Sequence, residues 1–147
     1  MAEMKFLKMQ ITCIGNCLPE TKKLRLILVR RTMNNKNLPF VFYDDTKFVE
    51  VEPGIKRKVL AYGDNMMQVE VHFEQGCIGA IHSHEHTQLT HVLSGVFEFT
   101  INGETKLVKK GDTLYKEPNV VHGCVCLESG VLLDTFCPCR EDFIENK

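Results

Sequence analysis

Residues 76–95 read GCIGAIHSHEHTQLTHVLSG and carry His82, His84, His86 and His91, four of the six histidines in a chain of 147 residues. On an extended strand, side chains repeat with period two, so His82 and His84 on either side of Ser83 are expected on one face. Two neighbouring imidazoles supply half of the donor set of a first-row metal ion. Gln88, four residues on, and His122 are the natural completions. The competing reading is a histidine-rich polar loop that faces solvent and binds nothing. His91 shares strand parity with Leu89 and Leu93. That parity allows two roles, a proton relay in a pocket wall or a hydrogen-bonded structural residue. His86 is expected in the loop or behind the ligands.

Outward from this segment the chain is a series of short strand candidates divided by turn chemistry. Phe40–Asp44, Phe48–Val51 and Arg57–Tyr62 come before it, with Pro53-Gly54 between the last two. Met67, Val69, Val71 and Phe73 alternate with Gln68, Glu70 and His72, the pattern of a half-buried strand. Phe97, Phe99 and Ile101 repeat that alternation, and Asn102-Gly103 is a strong hairpin signal leading to Glu104–Val108. Gly111-Asp112 turns into Thr113–Lys116, Gly123–Leu127 follows, and Ser129-Gly130 turns into Val131–Phe136. No long segment of period 3.6 intervenes, so helix is expected only in residues 1–33 or in the last few. Eight to ten short strands at intervals of about ten residues mean an all-β sandwich or small barrel.

Length allows about one domain, and 44% hydrophobic with 25% charged residues is ordinary globular usage. A net charge of −1 gives no basic footprint for nucleic acid. The longest apolar run, Leu24 to Val29, contains Arg25 and is far too short to span a membrane. The first ten residues lack the order of a secretory signal, so a cytoplasmic location is expected. Residues 1–33 carry seven Lys/Arg against Glu3 and Glu20, and the remainder carries 11 against 17. This asymmetry marks residues 1–33 as an N-terminal extension, with a domain over 34–147. The extension is either an appendage, by origin even an upstream translation, or an extra strand, TKKLRLILVRRT, on the sheet or on a second subunit. Seven cysteines cannot all pair internally, and a reducing compartment is the better assumption. The pairs Cys124/Cys126 and Cys137/Cys139 lack zinc-ribbon spacing and read as small buried strand residues.

Near the C-terminus, alternation puts Leu132, Asp134 and Phe136 on one strand face. If that face is the interior, a carboxylate points into an apolar pocket. Arg140, beyond Pro138, is then free to fold back as a fork for a substrate carboxylate. The plainer alternative is a structural Asp134–Arg140 ion pair.

Gly76-x5-His82-x-His84-x3-Gln88-x6-Gly95 resembles the first motif of the cupin family, with Gln88 where most members have Glu. Gly111-Asp112 followed by Pro118-x3-His122 resembles the second, with Val120 and Cys126 at positions usually Gly and Asn. The resemblance covers about residues 40–140, with motifs within 76–122 and a C-terminal strand over 131–140. It implies an all-β fold, the double-stranded β-helix or jelly-roll barrel. It also implies one divalent transition metal (Zn, Ni, Mn, Fe or Co) held by His82, His84, Gln88 and His122. Three neutral imidazoles and a neutral amide leave the full +2 on such an ion, where Glu would reduce it to +1. The ion is then a stronger Lewis acid, held less tightly.

IKRKVLAYG at 55–63, the histidine segment, HGCVCLE at 122–128 and the pattern Asp134-x-Phe136-x-Pro138-x-Arg140-Glu-Asp-Phe143 are together similar to the KdgF-type pectin-degradation cupins. This likeness implies ring opening of 4,5-unsaturated uronates, the monosaccharides left by pectate and alginate lyases, to the linear keto form. It gives Asp134, Phe136 and Arg140 as the catalytic set beside the metal. Departures at Cys137, Cys139 and His91, the last often Tyr, bear on the pocket wall. The implied partners are a small sugar acid and a second copy of the chain in a homodimer, with no nucleic acid and no membrane. Two other functions share the same ligand set: a non-catalytic metal-containing module that binds a sugar acid, and an Fe(II)-dependent dioxygenase.

Overall fold

The computed structural model describes residues 35–145, and the expectations for residues 1–33 lie outside them. Eight strands follow a short 3-10 turn at Tyr43–Asp45: β1 (Val49–Glu52), β2 (Ile55–Tyr62), β3 (Met67–Phe73), β4 (Ile78–His82), β5 (Thr87–Ile101), β6 (Glu104–Lys109), β7 (Thr113–Lys116) and β8 (His122–Cys137). One helical turn, α1 (Asp142–Glu145), follows, so the helix expected near the C-terminus is present. Among the described residues no helix is long and apolar enough to cross a membrane.

The two long strands organise the rest. β5 and β8 run antiparallel along their whole length, from Thr87 opposite Cys137 to Ile101 opposite His122. The first part of β5 also pairs with β7, and the last part with β6. The last part of β8 pairs with β3, and its first part with β4. One sheet is therefore β1-β2-β3-β8-β5-β7 and the other β4-β8-β5-β6, and β5 and β8 belong to both. This is a jelly-roll barrel, as the resemblance implied.

The bend that lets one strand serve two sheets is made of glycine. Gly95 has φ +83, and a Cβ there would lie 2.5 Å from the Gly130 Cα and 2.6 Å from the Glu128 carbonyl oxygen. Ser129-Gly130, expected as a turn, is thus the inside of a bent strand pressed against a second bend. The ladder shifts register between Val92 and Phe97, and the buried parity changes with it. Gln88, Thr90 and Val92 are buried before the bulge, and Phe97 and Phe99 after it. Asn102-Gly103 does form the expected hairpin, with φ of 49 and 81.

Phe40–Asp44 is not a strand. The chain turns at Tyr43–Asp45 instead, because Thr46 and Lys58 both donate to the Tyr43 carbonyl, at 2.9 and 3.1 Å. The Lys58 ammonium also lies 3.4 Å from the centroid of the Tyr43 ring. The interior holds two apolar clusters. One contains Ile55, Phe73, Val92, Phe97, Phe99, Cys124, Cys126 and Leu132. The other contains Tyr62, Met67, Val69, Phe136 and Cys139.

Candidate active site

Ladder register explains which residues meet. His82, the last residue of β4, stands directly opposite His122, the first residue of β8, so two imidazoles from adjacent strands become cross-strand neighbours. Their rings are 4.4 Å apart between centroids. His84 is not on the strand with His82, as expected, but in the connection to β5. That connection still brings its ring to 5.1 Å from His122 and 5.7 Å from His82. One potential ligand atom from each of the three lies within 4.8 Å of the others, so the trio could hold a metal ion.

The hydrogen bonds leave the right lone pairs free. Nδ1 of His82 donates to the Ala80 carbonyl at 2.8 Å, and Nδ1 of His122 donates to the Val120 carbonyl at 2.9 Å. Each ring therefore keeps its Nε2 lone pair, and the buried Nε2 of His122 has no hydrogen-bond partner. Burial pulls the His122 pKa down to about 4, against the opposing pull of the Val120 carbonyl. Burial also lowers that of His84, which a hydrogen bond to Gln88 partly offsets. Both are neutral imidazoles near neutral pH, the form that ligates metal. His84 Nε2 lies 3.0 Å from Gln88 Oε1.

The next two rungs hold the remaining polar groups. Gln88 is paired with Phe136 on one side and Lys116 on the other, and Thr90 is paired with Asp134. The Thr90 hydroxyl is in contact with three of them. Lys116 Nζ reaches it at 2.5 Å, Gln88 Nε2 at 3.1 Å, and its third partner is Asp134 Oδ1. An ammonium can only donate, so Thr90 accepts from Lys116, and its single proton is then left for the carboxylate. With Gln88 donating through Nε2, its carbonyl oxygen is turned toward the histidines. The Lys116 ammonium thus fixes the sense of the whole network. Lys116 is only 1% exposed. Burial lowers its pKa, and the charge of Asp134 opposes that shift.

Asp134 and Phe136 line a cavity of about 350 Å³ together with His82, Gln88, His122 and Arg140. Phe136 is buried between His84 and Phe143, at 5.7 and 5.6 Å. Arg140 does not pair with Asp134. It donates to Asp142 twice, Nε to Oδ1 at 2.8 Å and Nη2 to Oδ2 at 2.7 Å, which holds the Asp142 carboxyl below its usual range. His91 lies on the outer face of β5, where its Nδ1 meets the Thr113 hydroxyl at 2.8 Å, so it is not a pocket residue. His86 is in the loop, its ring 5.5 Å from His84. Cys124, Cys126 and Cys139 are buried as expected, but Cys137 is exposed at the end of β8.

Three residues of this region have no place in the motif reading: Thr90, Lys116 and Arg57, of which Thr90 and Arg57 line the cavity. Parity carries the missing signal. Lys116 shares a strand face with Leu114, and Arg57 with Ile55 and Val59, so each is a cation at an inward-facing position.

Similarity to known proteins agrees with the geometry. The cupin-domain family model matches residues 69–136. Over 103 residues the chain is 46% identical to the pectin degradation protein KdgF of Dickeya dadantii (strain 3937), covering 69% of this chain and 94% of that protein. An RmlC-like cupin from Shewanella frigidimarina NCIMB 400 superposes with a TM-score of 0.71 at 35% identity, over 75% of this chain and 99% of the other. KdgF from Halomonas sp. does so with a TM-score of 0.69 at 35% identity, over 73% and 99%. A barrel built on two shared strands, with histidines at the first-motif and second-motif positions, places the chain in the cupin family, among the proteins related to KdgF.

Proposed function

We propose that the protein opens the ring of 4,5-unsaturated uronate monosaccharides and releases the linear keto form. The observation that carries this reading is the shared cavity, in which a carboxylate, an arginine and an aromatic wall adjoin the histidine cluster. Its volume of about 350 Å³ suits one small ligand. Relationship to a pectin degradation protein supplies the substrate class.

His82, His84, Gln88 and His122 would hold one divalent transition metal ion, which when bound supplies Lewis acidity toward a substrate oxygen. The chain's own residues account for the rest. Arg140 holds the substrate carboxylate, and Phe136 orients the ring. Asp134 acts as general base through Oδ2, since Oδ1 is engaged by Thr90. It takes the proton of the anomeric hydroxyl as the bond between C1 and the ring oxygen breaks. An aldehyde forms at C1, the ring oxygen leaves as an enolate that takes back the proton held by Asp134, and tautomerisation of the resulting C5 enol gives the ketone. Lys116 stays out of contact with substrate and keeps Asp134 oriented through Thr90.

The test mixes metal-replete protein with purified 4,5-unsaturated galacturonate and follows loss of the absorbance of the conjugated double bond. Decay well above the spontaneous background is expected, and Asp134→Ala should slow it by about 10²- to 10⁴-fold. Decay at the background rate, or full activity in Asp134→Ala, overturns the assignment. Tight retention of a sugar acid without turnover would point to the binding module instead.

A further inference from the structure

Arg57 is the cation of the cavity that the proposed reaction leaves unused. Its position is unusual for an arginine. It lies on β2 between Ile55, buried in one apolar cluster, and Val59, packed on the other, so strand alternation turns it toward the barrel interior. Its guanidinium lies 3.7 Å from the centroid of the Phe143 ring, and that of Arg140 lies 4.3 Å from the same centroid. Both arginines line the cavity that holds Asp134 and His122.

Their partners differ. Arg140 has one edge, Nε and Nη2, engaged by Asp142 and keeps Nη1 for a further acceptor. Arg57 has no hydrogen-bond acceptor and no ion-pair partner among the described residues, and Glu52, on the same cavity wall, makes no ion pair with it. A half-buried guanidinium with five donors and no acceptor is incompletely satisfied, because burial has removed part of its water. Stacking on Phe143 covers the face of the group. Its donors point outward in the plane, where a planar carboxylate is bound through two parallel hydrogen bonds.

We propose that Arg57 is a specificity-determining residue that binds the carboxylate of the sugar acid alongside Arg140, so that the site selects acids over neutral sugars. This inference rests on the sugar-acid reading of the cavity. The proton transfer is assigned to Asp134, so the contribution of Arg57 is to binding.

Steady-state kinetics of wild type, Arg57→Ala and Arg57→Lys on 4,5-unsaturated galacturonate and on its methyl ester test it. Arg57→Ala should raise KM for the acid by about ten- to a hundredfold, the effect of one charge-assisted contact, with kcat changed by less than about threefold. The ester should show no comparable change, and Arg57→Lys should restore part of the affinity for the acid. A merely structural role would depress acid and ester alike. Equal loss on both substrates, a loss confined to kcat, or no loss overturns the proposal. Should wild type turn over neither substrate, the ring-opening reading fails, and calorimetry with galacturonate and its methyl ester decides the role of Arg57. A preference for the acid that Arg57→Ala abolishes sustains it, and equal binding of the two ligands overturns it.

Discussion

Replacing Lys116 by methionine removes the buried ammonium while keeping most of its volume. The wild-type group is 1% exposed and donates to Thr90, which in turn donates to Asp134. Without it the Asp134 carboxylate loses the cation that reaches it through Thr90, and breaking a buried pair from one side costs about 3–5 kcal/mol. Relief of the lysine's own desolvation offsets part of that, since burial already disfavours its charged form. A net loss of about 3 kcal/mol is expected, which lowers the urea midpoint by about 1.5 M at a slope of about 2 kcal/mol/M. The assay is equilibrium unfolding followed by far-ultraviolet circular dichroism, with metal chelated so that no bound cation replaces the lost charge. Asp134→Leu alone should cost a similar amount, because it strands the ammonium instead. The double variant Lys116→Met/Asp134→Leu should regain about 2 kcal/mol or more relative to the sum of the single changes. A cost below about 1 kcal/mol for Lys116→Met, or strict additivity in the double variant, would refute the idea that these two charges balance each other.

Four more outcomes are expected. His122→Ala should abolish binding of one divalent metal ion per chain, measured by elemental analysis, and Gln88→Glu should make the bound metal slower to extract with a chelator, because it adds a negative donor. For metal-free protein, the His122 pKa of about 4 lies below its ordinary 6.5. Between those values the unfolded chain holds a proton that the folded one does not. Stability should therefore fall as pH drops from about 6.5 toward 4, by up to about 3 kcal/mol less whatever solvent access offsets, read from urea midpoints across that window. Gly95→Ala should cost about 3 kcal/mol or more, and lower the melting temperature by about 10 °C, because its Cβ would lie 2.5 Å from the Gly130 backbone at a φ of +83.

Most of the barrel was legible because alternation is a physical consequence of a strand with one buried face. Met67, Val69 and Phe73 are buried where the pattern puts them, and Asn102-Gly103 turns where its residues tolerate positive φ. Ser129-Gly130 misled because the same small residues serve a turn and a bulge, and only the tertiary partner, Gly95, distinguishes the two. The site was harder for a different reason. In β5 the usual polarity is inverted, with Gln88 and Thr90 buried while Leu89 and Leu93 are exposed. Period two shows which residues share a face, but not which face is inside. His91 follows Leu89 and Leu93 outward for that reason. Parity marks Lys116 as an inward-facing cation, but its bond to Thr90 was not legible because it joins two strands through a register that no local pattern encodes. Metal-motif spacing brought His82, His84 and His122 into view, since their separation along the chain is tied to the barrel itself.

The bulge at Gly95 gives β5 something like a reading frame. Upstream of it the even-numbered residues face the interior, and downstream the odd-numbered ones do. Removing one residue between Ser94 and Val96 would leave the composition almost untouched. It would also let period two run unbroken from Val92 to Phe97 and so remove the irregularity at which β5 bends from one sheet into the other. Length variation among natural relatives should therefore concentrate in the hairpins at either end of this strand and avoid its middle. Anyone grafting a new ligand set onto the barrel should keep the irregular register around Gly95 as carefully as the histidines.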